Sequence, residues 1–370
     1  MKRRDLIKSL GAGTLLAGGL AACGRQTAGP AGADGPRAKL RWNMVTTWPK
    51  NFPGLGSGAE YLAKLIGELS EGRLTVHVYG AGERVPALEV FDAVSRGAAE
   101  MGHGAAYYWK GKSPAAPFFT SVPFGLTAQE MNGWLYFGGG LELWRELYAP
   151  FNLIPFEAGN TGTQMGGWFR REIRSLADLK GLKMRIPGLG GEVLQRLGVT
   201  TVNIPGGELF TAMQSGTIDA TEWVGPYNDL AFGLHKTARY YYYPGWQEPG
   251  PTLECIVNKQ AFEALPADLQ AVIRCACQAT GLNMLAEYAA RNQAALDTLV
   301  REHGVQLRPF PDDVMQALRE TSAQVLKELV ANDAFSRKVY DSVERFRRNS
   351  VAATAIAEKA YLDRRGLESR

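Results

Sequence analysis

The chain has 370 residues, a length at which a single hydrophobic core becomes inefficient, and 45% of its residues are hydrophobic. We therefore expect two lobes or domains, each with a sizeable core. The formal net charge is +4 and falls to +1 when residues 1–22 are set aside, so the chain lacks the strong positive charge that favours nucleic-acid binding.

The first 23 residues have the pattern of an export signal. A charged segment at residues 2–8 precedes an apolar run at residues 10–22, and that run is too short to span a bilayer comfortably. Residues 1–23 are therefore not expected to form part of the folded protein, and we expect a periplasmic protein.

Two details define the kind of signal. Arg3 and Arg4 precede an apolar pair and resemble a twin-arginine signal, while the LAAC sequence that ends at Cys23 resembles a lipobox, with Cys23 as the lipid anchor. The alternative is an ordinary cleaved signal in which Cys23 has no role. Residues 24–37 are rich in Gly, Pro and Ala, a composition typical of a flexible tether.

Strands and helices alternate in the next segment. Strands are predicted at Leu40–Thr46, at Leu74–Tyr79 and around Met101, and helices at residues 57–69 and 86–95. This order is typical of an α/β unit with a largely parallel sheet.

A second α/β rhythm follows after residue 164. Strands are predicted at residues 165–170, 182–186, 200–204, 218–223 and 253–258, and helices at residues 192–197 and 207–214. Pro266 opens a long helical run to about Glu302. Residues 311–364 are also helical, and the polar, basic stretch at 335–361 is expected to be poorly covered by its own lobe.

Three cysteines follow Cys23 in the sequence. Cys275 and Cys277 lie on a predicted helix and point away from each other, and the odd count argues against a disulfide scaffold. A bridge from Cys255 to one of them is left open.

Arg185 follows a predicted strand and precedes Ile186 and Pro187, a position where a strand opens toward a cleft. Ligands of open α/β sheets bind at the carboxyl ends of strands. A guanidinium can bind a carboxylate through two parallel hydrogen bonds, each contributing about 1.5–3 kcal/mol. Arg185 is therefore a candidate carboxylate clamp, and a structural ion pair is the alternative.

Glu222, Gln164 and Glu248 lie at comparable junctions between predicted strands and loops. Solvated acids on loops are the alternative interpretation. Oxygen ligands without histidine or thiolate suit a hard cation such as Ca²⁺ or Na⁺. Without a cation, Glu222 and Glu248 would repel a carboxylate ligand.

A family resemblance rests on five segments in a specific order. They are GNTGTQMGGWF at 159–169, KMRIP at 183–187, PGGELF at 205–210, GTIDA at 216–220 and EWVGP at 222–226. From about residue 40 to the carboxyl terminus, the chain resembles a DctP-type substrate-binding protein of a TRAP transporter. That wider family usually has an asparagine at the position of Trp223. The departure here is similar to the branch that binds 2-oxo or 2-hydroxy acids, such as pyruvate or lactate, through a metal ion.

The resemblance implies a role for each candidate residue. Arg185 would clamp the carboxylate, and the ligands of a Ca²⁺ or Na⁺ ion would be Gln164, Glu222, the Trp223 carbonyl and Glu248. The pocket would be closed from the first lobe by Tyr107 or Tyr108 and by Asn160.

The resemblance also implies a periplasmic-binding-protein-like fold of two α/β lobes, each with a mixed, mainly parallel sheet, joined by crossing strands and a long helix. Lobe I would comprise residues 37–161 and 249–288, and lobe II residues 162–248 and 289–334. Residues 335–370 would form a C-terminal helix and candidate dimerisation element. The implied partner is a membrane permease.

Two other functions stay open from the sequence. One is a receptor for another carboxylate, such as a dicarboxylate, a sugar acid or an amino acid. The other is a secreted metal-dependent enzyme with Glu222 or Glu248 as a base. No nucleophile or zinc-like spacing supports the enzyme, so a binding protein is the preferred prediction.

Overall fold

The computed structural model describes residues 39–366. The predicted export signal, the Cys23 anchor and the tether lie outside the described residues, as does the very end of the predicted C-terminal helix. No helix between residues 39 and 366 combines the length and apolar character needed to cross a bilayer.

The described residues contain eleven strands, numbered in chain order. They are β1 (Leu40–Thr46), β2 (Leu74–Tyr79), β3 (Met101–Gly104), β4 (Leu153–Asn160), β5 (Gly167–Phe169), β6 (Lys183–Arg185), β7 (Thr200–Val202), β8 (Ala220–Thr221), β9 (Tyr240–Tyr243), β10 (Thr252–Asn258) and β11 (Gln306–Pro309).

Twelve α-helical segments accompany these strands in the same part of the chain. They are α1 (Leu55–Leu69), α2 (Val90–Ser95), α3 (Ala128–Phe137), α4 (Gly140–Tyr148), α5 (Gly188–Arg196), α6 (Leu209–Ser215), α7 (Pro226–Phe232), α8 (Lys259–Glu263), α9 (Ala267–Arg301), α10 (Asp312–Asn332), α11 (Ala334–Thr354) and α12 (Ala360–Leu362).

The strands form two mixed sheets, which confirms the predicted α/β fold class. The first sheet has the order β2-β1-β3-β10-β4, with parallel β1–β2 and β1–β3 pairs and antiparallel β10. The second has the order β11-β9-β5-β8-β6-β7, in which β5 runs antiparallel to both of its neighbours.

Helix α9 is the long element that connects the two sheets. Near its start, Ile273 and Cys277 pack in the cluster beneath the first sheet, and near its end Leu299 packs with Trp168 and Tyr241 of the second sheet. Helix α9 has 35 residues and contains no proline. Gly281 is the only residue in it with a strongly unfavourable helix propensity, so a single long helix can form.

Five helices and strands between residues 128 and 243 were not predicted, namely α3, α4, β4, α7 and β9. Helix α4 packs against strand β4 and against helix α3, and strand β9 pairs with both β5 and β11. Strand β4 has the sequence LIPFEAGN and is buried on both faces, so it lacks the alternation of a half-buried strand. Because helices from distant parts of the chain bury this strand, the local sequence alone did not predict it.

The expectation that residues 335–361 are poorly covered is wrong for the first half of that segment. Val339 and Val343 of α11 are buried, and Trp134 of α3 donates a hydrogen bond from Nε1 to Ser342 Oγ at 3.1 Å. The side chains become exposed only beyond this region, with Val351 and Ile356 among them. The unpredicted helices α3 and α4 supply the missing partner surface.

Cys255, Cys275 and Cys277 are free thiols in the structure. Cys255 and Cys277 are buried in the cluster beneath the first sheet, and Cys275 is exposed. The bridge that the sequence left open is not formed.

Candidate functional site

Arg185 and Glu222 are neighbours because β6 and β8 are adjacent parallel strands. Arg185 ends β6 and lies opposite Thr221, the last residue of β8. Glu222 comes directly after that strand, and its backbone N–H donates to the Arg185 carbonyl at 3.1 Å. The carboxyl ends of parallel strands meet at one edge, which is where the sequence placed the binding site.

The Arg185 guanidinium is only partly engaged by the protein. Its Nη1 donates to the Glu222 carbonyl at 2.9 Å and lies 3.3 Å from Glu222 Oε2, and its Nε donates to the Ile204 carbonyl at 3.3 Å. Nη2 is buried and has no hydrogen-bond partner. The N–H groups of Nη2 are therefore available to an acceptor such as a carboxylate.

Two loop segments bring Gln164 and Glu248 to the same edge. The Gln164 N–H donates to the Glu248 carbonyl at 3.1 Å, and the Met165 N–H donates to the Val224 carbonyl at 3.0 Å. Gln247 Nε2 donates to the Met165 carbonyl at 2.8 Å. The segment around residue 165 thus lies between the loop after β8 and the loop before β10.

The first sheet contributes aromatic side chains to the opposite wall. Tyr107 and Tyr108 lie on the 3-10 turn Ala106–Trp109, and their ring centroids are 4.7 Å apart. Tyr107 also lies close to Gly188 at the start of α5. Burial and the charge of Glu248 raise the pKa of the Tyr107 hydroxyl well above its usual range.

Asn160 has a structural function in addition to its predicted place in the pocket. Its Nδ2 donates to the Gly250 carbonyl at 3.1 Å, and its Oδ1 accepts from the Gly162 N–H at 2.8 Å. These bonds hold the turn that follows β4 and leads into Gln164.

Trp223 forms an aromatic wall beside the guanidinium. The Arg185 guanidinium carbon lies 5.1 Å from the centroid of the indole. Trp48 and Phe52 contact the other parts of the indole edge-on, at centroid distances of 6.2 and 6.4 Å. Gly206 packs directly against the ring, and a methyl group there would overlap it.

The site contains several buried polar atoms that have no partner in the described chain. The oxygen atoms among them are Gln164 Oε1, Glu222 Oε1, Gln247 Oε1 and Glu248 Oε2. Buried polar groups without partners are rare in folded proteins and require an explanation. Three of these oxygens belong to the predicted cation ligands, and together with Arg185 Nη2 they match a cation and a carboxylate.

The two carboxyls strongly influence each other. Burial, followed by repulsion from Glu248, raises the pKa of Glu222 well above its usual range, against the opposing effect of Arg185. Burial raises the pKa of Glu248 to about 8. A bound cation would stabilise both carboxylates in their charged form.

The donor set fits a hard cation rather than a transition metal. Within residues 39–366, no group of three or more His, Cys, Asp and Glu side chains is arranged to hold a metal ion. The predicted ligand set instead combines two carboxylates with a side-chain amide and the Trp223 backbone carbonyl. Oxygen donors of this kind suit Ca²⁺ or Na⁺.

The structure adds two residues that the sequence analysis did not select. Trp48 follows β1, donates from Nε1 to His103 Nδ1 at 2.8 Å, and packs on Trp223. Its position after a parallel strand is the same signal that identified Arg185. Asp229 lies on α7 behind Trp223 and has no comparable signal in the sequence.

Two mixed α/β sheets joined by a long helix, with buried, unpartnered polar atoms at one sheet edge, are typical of a solute-binding protein. The chain belongs to the bacterial extracellular solute-binding protein family 7, also called DctP, whose model matches residues 44–333. The family consists of extracytoplasmic receptors of TRAP transporters.

Relatives within this family have known or named ligands. A monocarboxylate 2-oxoacid-binding periplasmic protein of Nostoc sp. is 46% identical over 361 residues, which cover 98% of each chain. A periplasmic solute-binding protein of Pseudoalteromonas atlantica, solved with sodium and pyruvate, is 46% identical, with a TM-score of 0.87 and coverage of 89% of this chain and 100% of that one.

A third relative was solved with a different cation and ligand. This solute-binding protein of Bordetella bronchiseptica is 41% identical, with a TM-score of 0.87 and coverage of 88% of this chain and 97% of that one. It is described as a mixed-occupancy dimer with copurified calcium and picolinate in one site and an apo second site.

Proposed function

We propose that this protein captures a small 2-oxo or 2-hydroxy monocarboxylate, such as pyruvate or lactate, through a bridging Ca²⁺ or Na⁺ ion. The observation that carries the proposal is the set of unpartnered polar atoms at one sheet edge: Arg185 Nη2 and the oxygens of Gln164, Glu222 and Glu248. The relatives solved with a carboxylate and either sodium or calcium support it.

Each part of the site would have one task in this function. The unpartnered Nη2 of Arg185 would bind the ligand carboxylate. The cation would be held by Gln164, Glu222, the Trp223 carbonyl and Glu248, and it would attract the carboxylate and 2-oxygen of the ligand. Tyr107, Tyr108 and Asn160 would close the site from the first sheet.

Calorimetric titration of the metal-stripped protein tests this function. Pyruvate, lactate, succinate and larger 2-oxo acids would each be titrated with and without Ca²⁺ or Na⁺. We expect micromolar or tighter binding of the monocarboxylates only when a cation is present. Binding that does not depend on a cation would contradict the metal bridge, and preference for a dicarboxylate, sugar acid or amino acid would favour the alternative receptor.

The lobe boundaries support a hinge mechanism for capture. Residues 37–161 and 249–288 contain all strands of the first sheet, and residues 162–248 and 289–334 contain all strands of the second. We infer that these segments are the two lobes and that they close over the ligand, as domain closure does in other binding proteins. The closed form would then deliver the ligand to a membrane permease.

The exposed end of the C-terminal segment is a candidate dimer contact. Beyond the covered part of α11, the apolar side chains Val351, Ile356, Tyr361 and Leu362 are exposed by 47%, 83%, 66% and 51%. Several large apolar side chains exposed within one short segment often mark a protein–protein contact. Light scattering of Ile356→Glu/Leu362→Glu should give a monomer mass where the wild type gives a dimer. A monomeric wild type would contradict the dimer, and a dimeric variant would contradict this contact.

The form of the exported protein is a separate proposal that rests on the amino terminus. We infer export through a twin-arginine-like signal and lipid attachment at Cys23. Replacing both Arg3 and Arg4 by Lys should reduce export, and Cys23→Ser should release the protein from the membrane fraction. A membrane fraction that keeps the Cys23→Ser variant would contradict the anchor.

A further inference from the structure

Asp229 is a buried carboxylate behind the loop that carries Glu222 and Trp223. It lies on α7 and is 1% exposed. Its Oδ2 accepts from Trp168 Nε1 at 2.9 Å and from the Tyr241 hydroxyl at 2.6 Å. All of these atoms are buried, so each bond is protected from water and is expensive to break.

The two donors to Oδ2 form a rigid platform. Trp168 and Tyr241 face each other on the adjacent antiparallel strands β5 and β9, and their rings are stacked with centroids 4.0 Å apart. Both side chains are fully buried. The position of the Asp229 carboxylate is therefore fixed relative to the second sheet.

The second carboxylate oxygen of Asp229 reaches the loop itself. Oδ1 accepts the backbone N–H of Val224 at 3.3 Å, and the Val224 carbonyl accepts from the Met165 N–H at 3.0 Å. The Val224 backbone is thus held on both sides. Because Val224 directly follows Trp223, these bonds fix the direction of the Trp223 carbonyl and the position of Glu222.

We propose that Asp229 is a positioning residue for the cation site. It would contact neither ligand nor cation. It holds the loop at Val224 and would thereby orient the Glu222 carboxylate and the Trp223 carbonyl toward the ion. The inference rests on the proposed function. Groups that orient metal ligands in this way typically change metal affinity by about 10- to 100-fold when they are replaced.

Asp229→Asn tests the inference. The amide keeps the shape of the carboxylate, but its NH₂ group replaces one accepting oxygen and faces N–H or O–H donors, so at least one of the hydrogen bonds is lost. In calorimetric titration of the metal-stripped protein, we expect the affinity for Ca²⁺ to fall about 10- to 100-fold. The affinity for pyruvate at saturating Ca²⁺ should stay at the wild-type value, because Arg185 is untouched. A purely structural role would lower the melting temperature without this difference between the two affinities.

Glu254→Gln is the matched control. Glu254 is a buried carboxylate that also accepts from one indole and one phenol, those of Trp109 and Tyr148, but it makes no hydrogen bond to the loop at 222–225. We expect its Ca²⁺ affinity to equal that of the wild type. Equal Ca²⁺ affinities in the wild type and in Asp229→Asn would overturn the inference.

Tyr241→Phe provides a second test if Asp229→Asn does not fold. It removes one of the two bonds that anchor the carboxylate, so Ca²⁺ affinity should fall about fivefold, the equivalent of one hydrogen bond. Unchanged Ca²⁺ affinity in this variant would also overturn the inference. If the wild type itself binds no cation, the proposed function fails first, and the inference fails with it.

Discussion

Arg185 Nη1 lies 3.3 Å from Glu222 Oε2, and both side chains are 1% exposed. A buried ion pair of this kind is costly to desolvate and contributes little net stability by itself. The pair leaves Arg185 Nη2 and Glu222 Oε1 without partners. Its arrangement is therefore better explained by ligand binding than by stability.

Arg185→Lys should weaken carboxylate binding while it keeps the positive charge. Lysine has a single nitrogen and cannot replace both the Nη1 bonds to Glu222 and the unpartnered Nη2 that is left for the ligand, so at least one charge-assisted bond is lost. We expect pyruvate affinity at saturating Ca²⁺ to fall about 10- to 100-fold, measured by calorimetry. Arg196→Lys, at a surface ion pair with Glu328, is the control. Wild-type affinity in Arg185→Lys would argue against the clamp.

Glu248→Gln should separate cation binding from the stability of the metal-free protein. The amide removes one of two mutually repelling carboxyls, so the metal-free variant should be at least as stable as the wild type. A Ca²⁺ concentration 100 times the wild-type Kd should stabilise the wild type by about 2.7 kcal/mol and the variant by much less.

Thermal unfolding with and without Ca²⁺ measures both effects of Glu248→Gln. The control is Glu263→Gln, which replaces an exposed acid paired with Lys259. The same Ca²⁺-induced increase in melting temperature in Glu248→Gln and in the wild type would exclude Glu248 as a cation ligand.

Gly206→Ala should disturb the site through Trp223. The backbone of Gly206 can accommodate alanine, but the new methyl group would overlap the indole, which Trp48 and Phe52 confine. Overpacking of this kind costs about 1–3 kcal/mol. We expect this cost to lower either the free energy of unfolding or, by tenfold or more, the affinity for the ligand. Gly207→Ala is the matched control, since a methyl there comes no closer than 4.0 Å to Pro49. Equal effects of the two variants would contradict this explanation.

Stability should fall as the pH rises from 5 to 8, in part because of Glu254. Burial raises the pKa of this carboxyl from 4.5 to about 7 in the folded protein. Between these two values the folded state holds a proton that the unfolded state has already lost. The stabilisation from this carboxyl is therefore complete below pH 4.5 and is lost as the pH rises through about 7.

Chemical unfolding of the wild type and Glu254→Gln at pH 5 and pH 8 measures this effect. We expect the free energy of unfolding to fall less in Glu254→Gln than in the wild type, by about 2–3 kcal/mol. Because other buried acids titrate in the same direction, only the difference between the two proteins is informative. An identical pH dependence in both would contradict the raised pKa.

The local patterns along the chain were sufficient to predict the α/β class and many of its elements. Strands β1, β2 and β10 and helices α1 and α9 lie close to the predicted residues, because alternation, helical periodicity and Pro266 act over short distances. Arg185 and Glu222 were identified because the ends of neighbouring parallel strands must meet at one edge.

The tertiary structure determines which distant segments cover one another. Strand β4 and helices α3 and α4 have weak local patterns, and they are stabilised by partners such as α9 and α11. Asp229 could not be selected from the sequence, because its three partners come from β5, β9 and the loop before α7. Sequence periodicity reports the solvent-exposed and buried faces of an element, whereas the identity of the buried partner depends on how the elements pack.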